Sequence, residues 1–238
     1  MLTKNEIKLI QSLADKKGRL ASGLFVVEGE KLVTEMVRSS LEIEQLYRVN
    51  ENCTWIEMNR ISQLKTPTRE LAVVRIPDWS VLHRGMKSSN FCLALDGVQD
   101  PGNLGSIMRT ADWFGITRIY CSMDTADCFA PKVVQSTMGS VSRVEVIYTD
   151  LCSVLSGCGV RVIGTFLERS TDIYSVDSLD GAGAMLVMGS EGHGISSAVE
   201  SLVTDRIYIP RLGGGESLNV ASAAAIAIGL LLRAHSVF

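Results

Sequence analysis

Three clusters of glycines and short polar side chains mark where this chain could do chemistry. The first spans residues 96–111, Asp-Gly-Val-Gln-Asp-Pro-Gly-Asn-Leu-Gly-Ser-Ile-Met-Arg-Thr-Ala. An apolar run enters it and a helical pattern leaves it, so a strand turns into a helix, with Asn103 expected at the cap and Arg109 nearly two turns inside. Arg109 sits among Ile107, Met108, Ala111 and Phe114, which predicts a partly buried guanidinium in need of an anion. The second cluster, residues 188–196, is Met-Gly-Ser-Glu-Gly-His-Gly-Ile-Ser. Its glycines let a ligand or another segment lie against the backbone, and Glu191 can accept hydrogen bonds from a ligand or from Arg109. His193, between glycines, reads as exposed and idle. The third, residues 207–228, joins a strand, the Gly213–Gly215 loop and an Ala-rich helix whose start is crowded by Glu216, Ser217 and Asn219. Taken singly, each has a plain structural reading: an N-cap, a solvated arginine, a glycine turn. Their company in one chain argues for more.

The clusters need a scaffold. From Phe91 onward, apolar runs of strand length at 91–95, 117–121, 144–148, 160–166 and 184–188 alternate with helix-compatible segments at 104–114, 151–155 and 196–202. A further short helix is opened by Pro131 and expected to close at Gly139. Such alternation predicts a mostly parallel sheet with helices on both faces, whose ligands sit at the carboxyl ends of the strands. All three clusters follow predicted strands. Before Phe91, a basic amphipathic helix over 2–13, strands at 25–27, 43–49 and 71–76 and a helix over 29–38 describe a small α/β/α binding module. Lys4, Lys8, Lys16, Lys17 and Arg19 make its start basic, which is either a solvated face or an electrostatic footprint for phosphates.

With 238 residues, 46% hydrophobic and 21% charged, the chain can bury a real core. The net charge of −3 hides an asymmetry: residues 1–90 carry 14 Lys and Arg against 11 Asp and Glu, residues 91–238 carry 9 against 15. The shift falls near Lys87–Asn90, where the domain boundary is expected, giving domains 1–88 and 89–238. Six cysteines without a C-x-x-C pair indicate reduced thiols. The longest apolar run is too short to span a membrane, and the charged start lacks a signal-peptide core, so a cytoplasmic protein without a membrane partner is expected. No dinucleotide fingerprint or P-loop follows a strand; Gly157-Cys158-Gly159 precedes one. H-E-x-x-H is absent and no metal is expected.

The order LDGVQDPGNLGSIMRTADWFG, LVMGSEGHGIS, IPRLGGGESLNVASAAAIA resembles the three motifs of the SpoU-type (TrmH-like) RNA 2′-O-ribose methyltransferases of the SPOUT superfamily, over essentially residues 91–235. Residues 24–37 are similar to the accessory L30e-like substrate-binding domain of many of these enzymes. The resemblance implies a knotted (trefoil), mostly parallel α/β methyltransferase domain, with the knot made by roughly Ala184 to Ala234, preceded by the small L30e-like α/β domain. It implies S-adenosylmethionine as cofactor, lined by Gly164, Thr165, Gly189, Ile209 and Leu218. It further implies a homodimer and an RNA substrate, ribosomal RNA of the 23S type, with transfer RNA as the alternative. By motif position Asn103, Arg109, Glu191, Ser217 and Asn219 form the catalytic set: Arg109 anchors an RNA phosphate and aligns the 2′-hydroxyl, Glu191 orients Arg109 or nearby loops, and Ser217 and Asn219 hold the ribose and the loop geometry. Arginines are poor bases at neutral pH, so alignment is the safer role for Arg109. Arg211, where the family often has an uncharged residue, adds a phosphate contact or is solvated. A non-catalytic RNA-binding or assembly factor of the same fold, and a small-molecule α/β enzyme, remain the competing readings.

Overall fold

The structure is a computed structural model describing residues 2–79, 91–167, 170–179 and 182–233. Helices in chain order are α1 (Lys4–Ser12), α2 (Lys16–Ser22), α3 (Glu30–Arg38), α4 (Trp55–Ile61), α5 (Pro101–Trp113), α6 (Pro131–Thr137), α7 (Leu151–Gly157), α8 (Ser197–Glu200) and α9 (Val220–Leu231). Strands are β1 (Leu24–Glu28), β2 (Ile43–Arg48), β3 (Glu70–Arg75), β4 (Phe91–Asp96), β5 (Arg118–Cys121), β6 (Glu145–Tyr148), β7 (Arg161–Thr165), β8 (Thr171–Asp172), β9 (Ala184–Gly189) and β10 (Asp205–Tyr208). Two compact units result: Met1–Asp78 with Asp127–Arg143, and Trp79–Ala126 with Val144–Phe238. The stretch 87–90, where the charge shift suggested a boundary, lies outside the described residues.

In the first unit β1, β3 and β2 form an antiparallel sheet in that order. Every residue of β1 is buried, and one face of the sheet carries a core of Ile10, Leu13, Val26, Tyr47, Met58, Ile61, Leu71 and Val73. Two helices went unread in the sequence. Short α2 carries a glycine, and α4 is announced by a Thr54-x-x-Glu57 capping box. Residues 127–143, expected to belong wholly to the second domain, pack with this unit. Phe129 meets Phe25 at 4.7 Å between ring centroids, and Gln135 Nε2 donates to the Glu28 carbonyl at 2.9 Å. Arg143 pairs with Glu35 at 2.8 Å. Buried Arg19 donates from Nη2 to Asp127 Oδ2 at 2.6 Å and from Nη1 to the carbonyls of Leu13 and Ala14. The charge pair is therefore saturated, which a buried guanidinium requires. Helix α6 ends at Thr137, two residues before the glycine expected to close it: Met138 itself takes the left-handed conformation, φ 51°.

The second unit is a seven-stranded sheet, order β6-β5-β4-β9-β7-β10-β8, in which every paired neighbour is parallel. Central β9 is buried from Ala184 to Met188, as an apolar run covered on both faces must be. Helix α9 buries Val220, Ala224, Ala227, Ile228 and Leu231, a spacing that keeps one stripe inward over three turns. The α/β class and the parallel sheet expected from the sequence are both present.

Candidate active site

Register brings the first two clusters together. Asp96 at the end of β4 pairs with Gly189 at the end of β9, so both loops leave the same edge of the sheet side by side. Asp96 Oδ2 accepts from the Ser196 N–H at 2.7 Å and ties the far end of the second loop back to the first strand. Asp96 was not singled out in the sequence; a carboxylate closing an apolar strand was the available signal. A Cβ on Gly189 would lie 2.1 Å from the Gly194 carbonyl carbon and 2.3 Å from the Ile195 nitrogen, so only glycine lets this loop double back.

The third cluster joins through side chains. Asn219 caps α9, its Oδ1 accepting from the N–H groups of Ala221 at 3.0 Å and Ser222 at 3.3 Å. The cap fixes the amide orientation, so Nδ2 points away and donates to Asn103 Oδ1 at 2.9 Å. That leaves Asn103 Nδ2 to donate to Glu191 Oε1. One helix cap thus sets the orientation of two amides and the role of a carboxylate across all three clusters.

Several expectations need correction. Asn103 is the third residue of α5, not its cap; Asp100 caps, accepting from the Asn103 N–H at 2.9 Å, because Pro101 is preset for the first helical position. Arg109 is exposed, since the α5 face that packs inward is Leu104, Ile107, Met108 and Ala111. Of the two partners expected for Glu191, Arg109 or nearby loops, the hydrogen bond goes to the first loop's Asn103. Among the described residues no carboxylate pairs with Arg109. Arg211 is exposed, in keeping with the solvated reading, and its Nη1 donates to the Gly215 carbonyl at 3.1 Å. Ser217 is exposed, without a hydrogen bond among the described residues, and His193 is exposed as expected.

Of the residues expected around a cofactor, Gly164, Thr165 and Gly189 lie at the carboxyl ends of adjacent strands β7 and β9, and Ile209 just follows β10. Thr165 Oγ1 lies 3.4 Å from the Val187 carbonyl. Gly164 is buried for packing: a Cβ there would lie 2.7 Å from the Phe166 ring and 2.9 Å from Val203. Residues 210–218 have no backbone–backbone hydrogen bond among the described residues, and Leu218 is 51% exposed. Backbone donors and acceptors between Ile209 and Leu218 not paired with other backbone, apart from the Gly215 carbonyl that Arg211 occupies, suit an adenosine-like ligand, which offers both hydrogen-bonding edges and an apolar face. No group of three or more His, Cys, Asp or Glu among the described residues could hold a metal ion. No helix among them is long and apolar enough to cross a membrane.

A parallel seven-stranded α/β unit with three glycine-rich loops gathered at the carboxyl ends of its strands defines a ligand-binding α/β domain. Residues 90–229 match the SpoU rRNA Methylase family, and residues 4–74 match the MRM3-like substrate binding domain. The chain belongs to the SpoU rRNA methylase family. It is 30% identical to the 23S rRNA (guanosine(2553)-2′-O)-methyltransferase RlmP of Bacillus subtilis over 94% of each chain. Among solved structures, a TrmH-family chain from Porphyromonas gingivalis is 37% identical, covers 97% of this chain and 98% of its own, and superposes with a TM-score of 0.87. An AdoMet-bound rRNA methyltransferase from Sinorhizobium meliloti is 27% identical over 97% of this chain and 95% of its own, also with a TM-score of 0.87.

Proposed function

We propose that this protein transfers the methyl group of S-adenosylmethionine to a ribose 2′-hydroxyl of ribosomal RNA, of the 23S type. The observation that carries the reading is the Glu191–Asn103–Asn219 chain of hydrogen bonds, which unites the three family motifs at the strand ends. The full-length match to an enzyme of that name supports the substrate class.

The cofactor supplies an activated methyl group. Backbone groups near Thr165, Gly189, Ile209 and Leu218 would hold its adenosine, with Gly164 in the packed wall of the same site. Arg109, exposed and without a carboxylate partner among the described residues, takes an RNA phosphate next to the target ribose and holds the 2′-oxygen in line for attack. Alignment of this kind removes about 7–11 kcal/mol of barrier in well-oriented systems. As the new C–O bond formed, the cofactor's C–S bond would break to leave a neutral thioether, and the now strongly acidic proton on the oxygen would pass to water, so no strong base is required. Asn103, Glu191 and Asn219 keep the loops in register, and Ser217 contacts the ribose.

Residues 1–88 hold RNA and residues 89–238 carry the chemistry, without a metal. The C-terminal segment threads as a trefoil knot, a reading supported by the insertion of β9 and β10 between earlier strands. The protein works as a homodimer in the cytoplasm. Trp113, 85% exposed and four residues from Arg109 on the same face of α5, is the apolar surface that a second copy would cover.

The test is methyl transfer from tritiated S-adenosylmethionine to 23S rRNA extracted from cells lacking the protein, with 2′-O-methylation mapped on the product. Labelled RNA with a single mapped ribose is the expected result. Binding of S-adenosylmethionine without transfer to any RNA would sink the proposal.

A further inference from the structure

Gly164 and Thr165 end β7, and the chain leaves the sheet at Phe166. Side chains that lie in none of the three motifs fix that exit. The Phe166 N–H donates to the Ile207 carbonyl at 2.8 Å and carries the β7–β10 pairing one step past the strand. Its ring stands two residues from Gly164, on the same face of the sheet, and folds back over that glycine. A Cβ on Gly164 would lie 2.7 Å from the ring and 2.9 Å from Val203. Arg206, the register partner of Gly164 on β10, lays its guanidinium carbon 3.5 Å from the centroid of the same ring. Arg206 Nη1 in turn donates to Oε1 of Glu200, the last residue of α8, at 2.6 Å. Carboxylate, guanidinium and ring are thus linked in series beside the end of β7.

Apolar packing with Val203 already gives the ring a place in the core. The Arg206 and Glu200 side chains are 37% and 41% exposed, so their ion pair adds little to the stability of the fold. A cation over the face of a ring is directional, and its effect falls on where the ring stands. Thr165 points to the opposite face, where its Oγ1 lies 3.4 Å from the Val187 carbonyl. The backbone of 164–166 is therefore gripped from both sides of the sheet. A ligand held through backbone groups binds only the fraction of molecules in which those groups are already in place.

We propose that Arg206 and Phe166 are positioning residues for S-adenosylmethionine: the guanidinium, oriented by Glu200, holds the ring over Gly164 and preorganises the backbone of 164–166 for the adenosine. The inference rests on the reading that the end of β7 lines the cofactor site.

The experiment is calorimetric titration of the full-length protein with S-adenosylmethionine and with its demethylated product, under conditions where urea denaturation shows every variant to be folded. Phe166→Leu keeps apolar bulk over Gly164, and Arg206→Met keeps the length of the side chain. Each is expected to weaken both ligands about fivefold, as when the binding-competent fraction falls to about one fifth. Arg206→Lys, which keeps a cation beside the ring, is expected to recover most of the affinity. The double variant Phe166→Leu with Arg206→Met is expected to bind no more weakly than either single one, because both remove the same contact. In methyl transfer to 23S rRNA the KM for S-adenosylmethionine should rise while kcat at saturation holds.

Wild-type affinity in both single variants, whatever their stability, overturns the inference and leaves the stack as packing alone. Additive losses in the double variant overturn it as well. So does a loss confined to S-adenosylmethionine, which would report charge at the sulfonium instead of the position of the strand end. A wild-type protein that binds neither ligand strikes the proposed function itself, a result visible before any variant is made, and the inference falls with it.

Discussion

Asn219 donates from Nδ2 to Oδ1 of Asn103 at 2.9 Å across 116 residues of sequence, and the α9 cap dictates that polarity. Asn103→Asp removes the donor that faces Glu191 and sets two carboxylates against each other. Loops displaced by about 1 Å commonly cost on the order of 100-fold in rate. Single-turnover methyl transfer by Asn103→Asp should fall by that order with the fold intact by circular dichroism. Turnover within a few-fold of wild type would show that the chain of amides is only structural ornament.

In the role proposed for it Arg109 would offer a planar fork to a phosphate, which an ammonium cannot reproduce. We expect Arg109→Ala to lose methyl transfer by at least about 100-fold, with S-adenosylmethionine affinity by calorimetry unchanged, since removing a transition-state contact lowers kcat without touching cofactor binding. Arg109→Lys should recover little. Full rescue by lysine would reduce the role to simple charge.

At Gly189 the backbone of Gly194 occupies the space of a side chain. Gly189→Ala therefore must open the second loop, and we expect cofactor affinity to drop at least about tenfold while the melting temperature of the protein also falls. Calorimetric titration and a thermal scan decide it; an unchanged affinity would mean that this loop does not line the cofactor.

The Arg19 side chain is 4% exposed and shares Asp127 Oδ2 between two of its nitrogens. Asp127→Ala leaves that guanidinium buried with only two carbonyl partners, a loss of about 3–5 kcal/mol by comparison with other broken buried pairs. Urea denaturation of the full chain reads this directly. Removing residues 1–88 should likewise expose Phe129, Val133 and Val134, which now pack within the first unit, and raise dye binding to apolar surface.

Acid should loosen the start of the chain. Hydrogen bonds from the Thr54 N–H and hydroxyl and from the Leu2 N–H hold the Glu57 carboxyl down to about 2. A folded value below the ordinary one means that this contribution to stability is fully present above about pH 4.5 and is lost as pH falls from there through 2. Amide exchange at Leu2 and along α1 should rise over that window in wild type and show a weaker pH response in Glu57→Gln.

Much of this protein is legible in its residues alone. Strand-length apolar runs such as 91–95 and 184–188, alternating with helix-compatible segments, fit a sheet buried on both faces, so the parallel α/β class was legible in local pattern. The resemblance to the family's three motifs marked Asn103, Arg109, Glu191, Ser217 and Asn219 as one group, in three clusters that each follow a strand. Local pattern has no access to partners over a hundred residues away. That Asp100 and not Asn103 caps α5, that Glu191 answers Asn103 rather than Arg109, and that residues 127–143 complete the first unit through Arg19 were all decided by tertiary contacts. Side-chain hydrogen bonds and buried charge pairs depend on which loops the sheet register brings together, and a buried arginine takes whichever carboxylate the fold delivers.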